Sequence, residues 1–179
     1  MTLQEHFTKD IVPQLKKELE LTNSHSVPCI RKIVLSVGIP VSQKDSKILE
    51  TVEQNLERIT GQKPVRTKAK KSIANFKIRE GMVVGVMVTL RGPRMWDFLG
   101  RLINVTFPRI RDFRGLSPKL VDAQGNVTIG FREHLAFPEI RSDEVEKIHG
   151  LQVTITTTAG TRERGFKLLK ALGFPWQTA

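Results

Sequence analysis

Lysine and arginine crowd one short stretch of this 179-residue chain. Arg66, Lys68, Lys70, Lys71, Lys77 and Arg79 lie between Val65 and Gly81, with Ser72 among them and Glu80 as the only acid. A row of fixed positive charge does the chemistry of phosphate binding: it attracts a polyanion and orients the protein on it. The excess continues along the chain. From Lys63 to Leu120 there are fourteen cations, including Arg91, Arg109, Arg111 and Arg114, against three acids, Glu80, Asp97 and Asp112. That stretch accounts for the whole net charge of +11, because the remaining fifteen cations are matched by fifteen acids. A solvated charged face explains most short charge runs. An excess this large and this local points to nucleic acid.

Residues that could carry catalysis are sparse. Lys70-Lys71-Ser72 is like the end of a phosphate-binding loop but lacks the glycines whose amides would cradle a phosphate. Gly81 and Gly85 fall in a strand pattern, so they are no dinucleotide fingerprint. His6, His25, His134 and His149 are scattered, without evident ligand partners, and read as surface or hydrogen-bonded side chains. Asp143, Glu144 and Glu146 beside His149 could hold the metal of a nuclease, but their polar setting reads as a solvated turn or helix. No enzyme, cofactor or metal site is expected. Cys29 is the only cysteine, which excludes an intrachain disulfide and a cysteine-rich zinc site. Beside Ile30 it reads as a small buried hydrophobe.

The elements that must position the cations follow from periodicity. Leu3, Phe7, Ile11, Leu15 and Leu19 recur every four residues and predict an opening helix that Pro13 bends. Asn23 to Pro28 reads as a loop and Ile30 to Ile39 as a strand stopped at Pro40. Asp45 and Ser46 can cap a second helix with an Ile48, Leu49, Val52, Leu56 and Ile59 stripe, ended by Gly61 to Pro64. Val65 to Gly81 shows no sustained period and reads as a long loop, a kind that is usually functional inside a compact domain. Alternation then predicts strands over Met82 to Arg91, Asn126 to Arg132 and Leu151 to Thr157. Gly92-Pro93 opens a helix bearing Met95, Phe98, Leu99, Leu102 and Ile103, and Thr161 caps a last one closed by Gly173 and Pro175.

Strands with one apolar face and helices with one apolar stripe predict a two-layer α+β fold. Helices would cover one side of a mainly antiparallel sheet, leaving a polar face of Thr89, Arg91, Thr128, Arg132, Gln152, Thr154 and Thr156 open. The 179 residues, 39% of them hydrophobic, suit a single domain, 1–179, with the basic loop 65–81 inserted between two strands. The longest apolar run, Met82 to Leu90, is far shorter than the ~20 residues of a membrane span. The first ten residues have no apolar signal core and carry acids early, which fits a cytosolic or already processed protein.

The central segments are also specific as motifs. Ile59 to Pro64, Thr67 to Gly81, Val88 to Gly92, Met95 to Leu99, Phe107 to Ser117, Phe137 to Ile140 and Thr156 to Ala159 resemble, in order, the 5S rRNA-binding protein-five family of the large ribosomal subunit, bacterial type. The resemblance runs from about Ile30 to Pro175 and implies a non-catalytic ribosomal protein of the central protuberance. It implies 5S rRNA contacts at Ser36, Gln62, Thr89 and Arg91. It further implies that Arg66, Lys68, Lys70, Lys71, Ser72, Lys77 and Arg79 face the peptidyl-site tRNA, and that the protein bridges to a small-subunit head protein. Arg109, Arg111 and Arg114 could fork onto phosphates of large-subunit rRNA or form an ion-pair web with Asp112. The protein is expected to be ribosome-bound, in a cytoplasm or an organelle, without a membrane or a second copy of itself as partner. Three features depart from the family pattern: Ser36 stands where asparagine is usual, Val127 where an aromatic is usual, and the glycine-rich turn after the first strand reads Gly38-Ile39-Pro40, which is stiffer than usual.

Overall fold

The computed structural model describes residues 2–39, 46–140 and 148–177. The strands are β1 (Ile30–Gly38), β2 (Val65–Lys68), β3 (Val83–Leu90), β4 (Val127–Phe131) and β5 (Leu151–Thr157). They form an antiparallel sheet in the order β2-β3-β1-β5-β4. The helices are α1 (Leu3–His6), α2 (Val12–Glu18), α3 (Ser46–Thr60), α4 (Gly92–Arg101), α5 (Phe107–Arg109) and α6 (Arg162–Ala171). Together they give the two-layer α+β architecture that the patterning predicts. The helix cap read at Asp45 and Ser46, the strand stop at Pro40 and the cluster Asp143, Glu144 and Glu146 lie outside the described residues or side chains. Contacts divide the chain into two compact units: Met1–Ile33, Leu90–Ile129 and Thr154–Ala179 form one, and Val34–Thr89 with Gly130–Val153 form the other.

In the first unit the opening helix keeps its four-residue stripe, with Phe7, Ile11 and Leu15 buried. Pro13 does not end it. A π turn, Phe7–Ile11, lies just before the proline, and the Val12 amide donates to the Phe7 carbonyl five residues back. The wider turn makes room for a ring that would otherwise clash with the carbonyl four residues earlier. The same device recurs at Pro108, where a π turn over Leu102–Thr106 lets the Phe107 amide donate to the Leu102 carbonyl. The two helical runs touch through Phe7 and Trp96, with ring centroids 5.0 Å apart.

Thr161 caps α6 as expected, accepting from the Arg164 amide at 3.4 Å. Gly165 of that helix lies against Gly125, whose Cα would be 2.4 Å from an added Cβ. Neither position has space for a side chain. The turn before β4 is built on Asp122, which accepts from the Gln124 and Asn126 amides at 2.9 and 2.8 Å and from Asn126 Nδ2 at 2.9 Å. Asn126 in turn accepts from the Thr157 amide at 2.9 Å, tying the turn to β5. Burial opposes a charge on Asp122, but these hydrogen bonds, the Asn126 side chain first, outweigh it and hold the carboxyl below its ordinary range. Cys29 is half-buried, not enclosed as its apolar neighbour suggested. It lies just before β1, where its amide donates to Thr158 Oγ1 at 3.0 Å and its carbonyl accepts from the Thr158 amide at 2.9 Å.

In the second unit α3 buries Val52, Leu56 and Ile59, and Gly61 closes it in the left-handed region at φ +65°. β3 passes close to β1: a Cβ on Gly85 would lie 2.5 Å from the Val37 carbonyl oxygen. That contact requires glycine and fixes how near the strand behind the basic segment can come.

Candidate nucleic-acid interface

The basic segment is not the featureless loop its sequence predicts. Val65–Lys68 is strand β2, paired antiparallel with β3 in the register Val65 to Met87, Arg66 to Val86 and Thr67 to Gly85. A bulge between Thr67 and Lys68 shifts the pairing, so that Lys68 faces Val83. The ladder continues past the strand. Ala69 donates to Met82 at 2.8 Å and accepts from Gly81 at 3.0 Å. Ile73 and Ile78 exchange both backbone hydrogen bonds, at 2.9 and 3.1 Å, and Ser72 Oγ accepts from the Glu80 amide at 2.9 Å. A short 3-10 turn, Ala74–Phe76, closes the tip, and Lys77 leaves it in the left-handed conformation at φ +52°. The segment is therefore a braced β-hairpin.

Bracing fixes where the cations sit. Lys68, Lys70, Lys71, Lys77 and Arg79 are all exposed, and none pairs with a carboxylate among the described residues. Phe76 and Ile73 are exposed at the same tip. Arg66 differs from the others. Its guanidinium forks onto Glu53 of α3, with Nη2 to Oε2 at 3.0 Å and Nε to Oε1. The Arg66 hydrogen bond, more than Coulomb attraction, holds the Glu53 carboxyl below its ordinary value. The same bond raises the Arg66 guanidinium. Arg66 thus ties the root of the hairpin to α3, whereas the resemblance implies that it faces the ligand.

Of the residues expected at a second RNA site, Gln62 and Thr89 come together: Gln62 Nε2 donates to the Thr89 carbonyl at 3.3 Å. The bond uses the Thr89 backbone and leaves its hydroxyl out of the link. Thr89 is half-buried between core residues Val88 and Leu90, and Ser36 is half-buried between Leu35 and Val37. Arg91 belongs to the other unit, exposed at the N-cap of α4. Thr128 and Gln152 are exposed on their strands while Thr154 and Thr156 are half-buried, and Thr128 and Thr154 share a hydroxyl hydrogen bond at 3.3 Å.

Arg109, the last residue of α5, and Arg111 and Arg114 on the turn that follows it are all exposed. The turn is held by Phe113 stacked on Phe107 at 5.4 Å and by Leu116, whose amide donates to the Pro175 carbonyl at 2.7 Å. Among the described residues no ion pair joins these arginines to Asp112. The ion-pair web considered from sequence is not formed there.

Sequence reasoning also misses a pairing. His134 and His149, which read as scattered, stack face to face with centroids 4.0 Å apart and planes 5° from parallel. A signal exists: strands over 126–132 and 151–157 that pair antiparallel bring residues near the two ends of their connection together. Among the described residues no group of three potential metal ligands is found, and no helix is long and apolar enough to cross a membrane.

Geometry and charge define a strongly basic α+β protein that carries its cations on a braced hairpin. The sequence profile of the ribosomal protein L5 family matches residues 23–79, and the profile of that family's C-terminus matches residues 83–176. Over 174 residues, 97% of each chain, the protein is 51% identical to the large ribosomal subunit protein uL5 of Halothermothrix orenii. It is 54% identical over the same length to that of a Synechococcus strain, and 52% identical over 176 residues, 98% of each chain, to that of Francisella tularensis subsp. novicida. The chain belongs to the ribosomal protein L5 family, which is structural and not enzymatic.

Proposed function

We propose that this protein is a structural constituent of the large ribosomal subunit that binds 5S rRNA in the central protuberance. In this reading the hairpin contacts peptidyl-site tRNA, and the protein contributes to a bridge with a small-subunit head protein. The observation that carries it is the hairpin. Five exposed cations stand on a hydrogen-bonded scaffold without carboxylate partners among the described residues. Lysines attract phosphate without reading bases, which suits a surface that must accept every tRNA.

Gln62, Thr89, Arg91 and Ser36 are the 5S rRNA contacts, because polar groups on strands, as Ser36 and Thr89 are, or just beyond a strand or helix end, as Arg91 and Gln62 are, can fit one RNA shape and its 2′-hydroxyls. Arg109, Arg111 and Arg114 face phosphates of large-subunit rRNA. The relatives' placement in the large subunit supports the ribosomal part of the reading. The test separates the two surfaces. Thr89→Ala with Arg91→Ala should weaken 5S rRNA binding by about 1–3 kcal/mol for each hydrogen bond lost, with tRNA binding kept. A double variant that binds 5S rRNA normally moves that site elsewhere. If the protein sediments away from ribosomal particles in a sucrose gradient, it is instead an RNA-binding module that acts off the ribosome.

A further inference from the structure

We propose that the stacked His134–His149 pair is an acid-sensitive latch, which closes the ends of the connection between β4 and β5 while both rings are neutral and releases them when either ring takes a second proton. The pair closes the connection with three kinds of bond. The rings stack at 4.0 Å. The His134 amide donates to the His149 carbonyl at 3.2 Å, and the His149 amide donates to His134 Nδ1 at 3.3 Å. His149 also reaches α3, where its Nε2 meets Asn55 Nδ2 at 3.3 Å.

A second proton on either ring gives up a bond of the latch: His134 Nδ1 lies 3.3 Å from the His149 amide and 3.2 Å from the His149 carbonyl oxygen, so a proton there turns it from accepting the amide to donating to the carbonyl. His134 is fully buried, and its Nε2 has no hydrogen-bond partner among the described residues. A cation there would be shielded from water, with its Nε2–H left without an acceptor among the described residues. His149 Nδ1 faces the Gly150 carbonyl at 3.2 Å, which can only accept, so Nδ1 holds the proton of the neutral ring. Nε2 must then accept from the Asn55 amide, and a proton on Nε2 would set two donors against each other. A charge on one ring would also lie against the face of the other.

Burial lowers the His134 pKa, outweighing the His149 carbonyl and then Glu133, which both favour a proton there. Burial, then the charge of His134, lowers that of His149. Asn55, from α3, is neutral. Both folded-state values therefore lie below the unfolded one. The latch is complete above the unfolded imidazole value of about 6.5 and weakens as pH falls from there through the folded-state values.

Amide hydrogen exchange of the full chain between neutral pH and mild acid tests this, each rate divided by the intrinsic rate at that pH. Protection in 131–140 and 148–153 should fall up to about ten-fold per pH unit for each proton taken up, with protection in α6 unchanged. His134→Phe with His149→Phe keeps two stacked rings and removes the titration, so its protection should not depend on pH over the same range. Equal loss in α6 and in the latch segments, or the same acid loss in the double variant, overturns the proposal. If that variant does not fold, the imidazole Cε1–H shifts of the unaltered protein decide. Both rings must titrate below the ordinary imidazole value, and either one titrating at or above it overturns the proposal.

Discussion

Replacing Lys68, Lys70 and Lys71 with alanine removes three of the five exposed hairpin cations that lack a carboxylate partner among the described residues. The backbone ladder that shapes the hairpin does not use their side chains, so the fold should survive. If each lysine neutralises one phosphate, the slope of log affinity against log salt falls by roughly 0.7–0.9 per lysine, or about 2–3 in all. Between about 0.05 and about 0.2 M salt, the native protein should then lose about 20- to 40-fold more tRNA affinity than the triple variant. Fluorescence anisotropy of labelled tRNA, titrated across that salt range, reads the slope directly. Arg66→Ala is the internal control. Its guanidinium is committed to Glu53, so its slope should change by less than one phosphate's worth, although it lies in the same basic run. A triple variant with the native slope, or an Arg66→Ala variant with a change as large as the lysines', refutes the assignment of these cations.

Three further outcomes follow from the packing. Gly165→Ala pushes a methyl into Gly125 Cα at 2.4 Å and should cost about 1–3 kcal/mol in denaturant unfolding, while a neutral effect would mean that the helix shifts freely. Gly85→Ala meets the Val37 carbonyl oxygen at 2.5 Å and should cost a similar amount of about 1–3 kcal/mol. It should also lower amide protection in β2 and β3, and native protection there would contradict the close approach. Asp122→Ala frees two amides and the Asn126 side chain, and at an exposed turn should cost about 1 kcal/mol. Because the folded-state pKa of Asp122 is depressed, that stabilisation is present above the unfolded carboxylate value and lost as pH falls through the folded one. The difference between native and variant should therefore shrink in acid, and a constant gap would exclude the ionised carboxylate as its source.

Most elements can be read from the sequence because they bury one face. The four-residue stripe of Phe7, Ile11 and Leu15 survives the π turn, and the alternation of Val127, Ile129 and Phe131 marks β4. β2 escapes such a reading for the opposite reason. It is an edge strand held by its ladder with β3, and Val65, its one large apolar residue, is 65% exposed. With no buried face there is no period to detect. The cations are legible as charge but not as geometry. Nothing in the sequence indicates that Arg66 turns to Glu53, thirteen residues earlier, while Lys68, Lys70 and Lys71 stay free of carboxylates among the described residues. The hairpin's rigidity comes from backbone bonds such as the Ile73–Ile78 exchange, which any side chains could make.

The most direct test of the central claim is competition between 5S rRNA and tRNA for the purified protein, followed by gel shift at low and at near-physiological salt. Phosphate-only binding fades steeply with salt, whereas shape-specific binding keeps its preference. A preference for 5S rRNA at both salts is the predicted result. A preference that vanishes at the higher salt would contradict it, leaving the hairpin as a general RNA clamp and Ser36, where the family usually has asparagine, as the first position to examine.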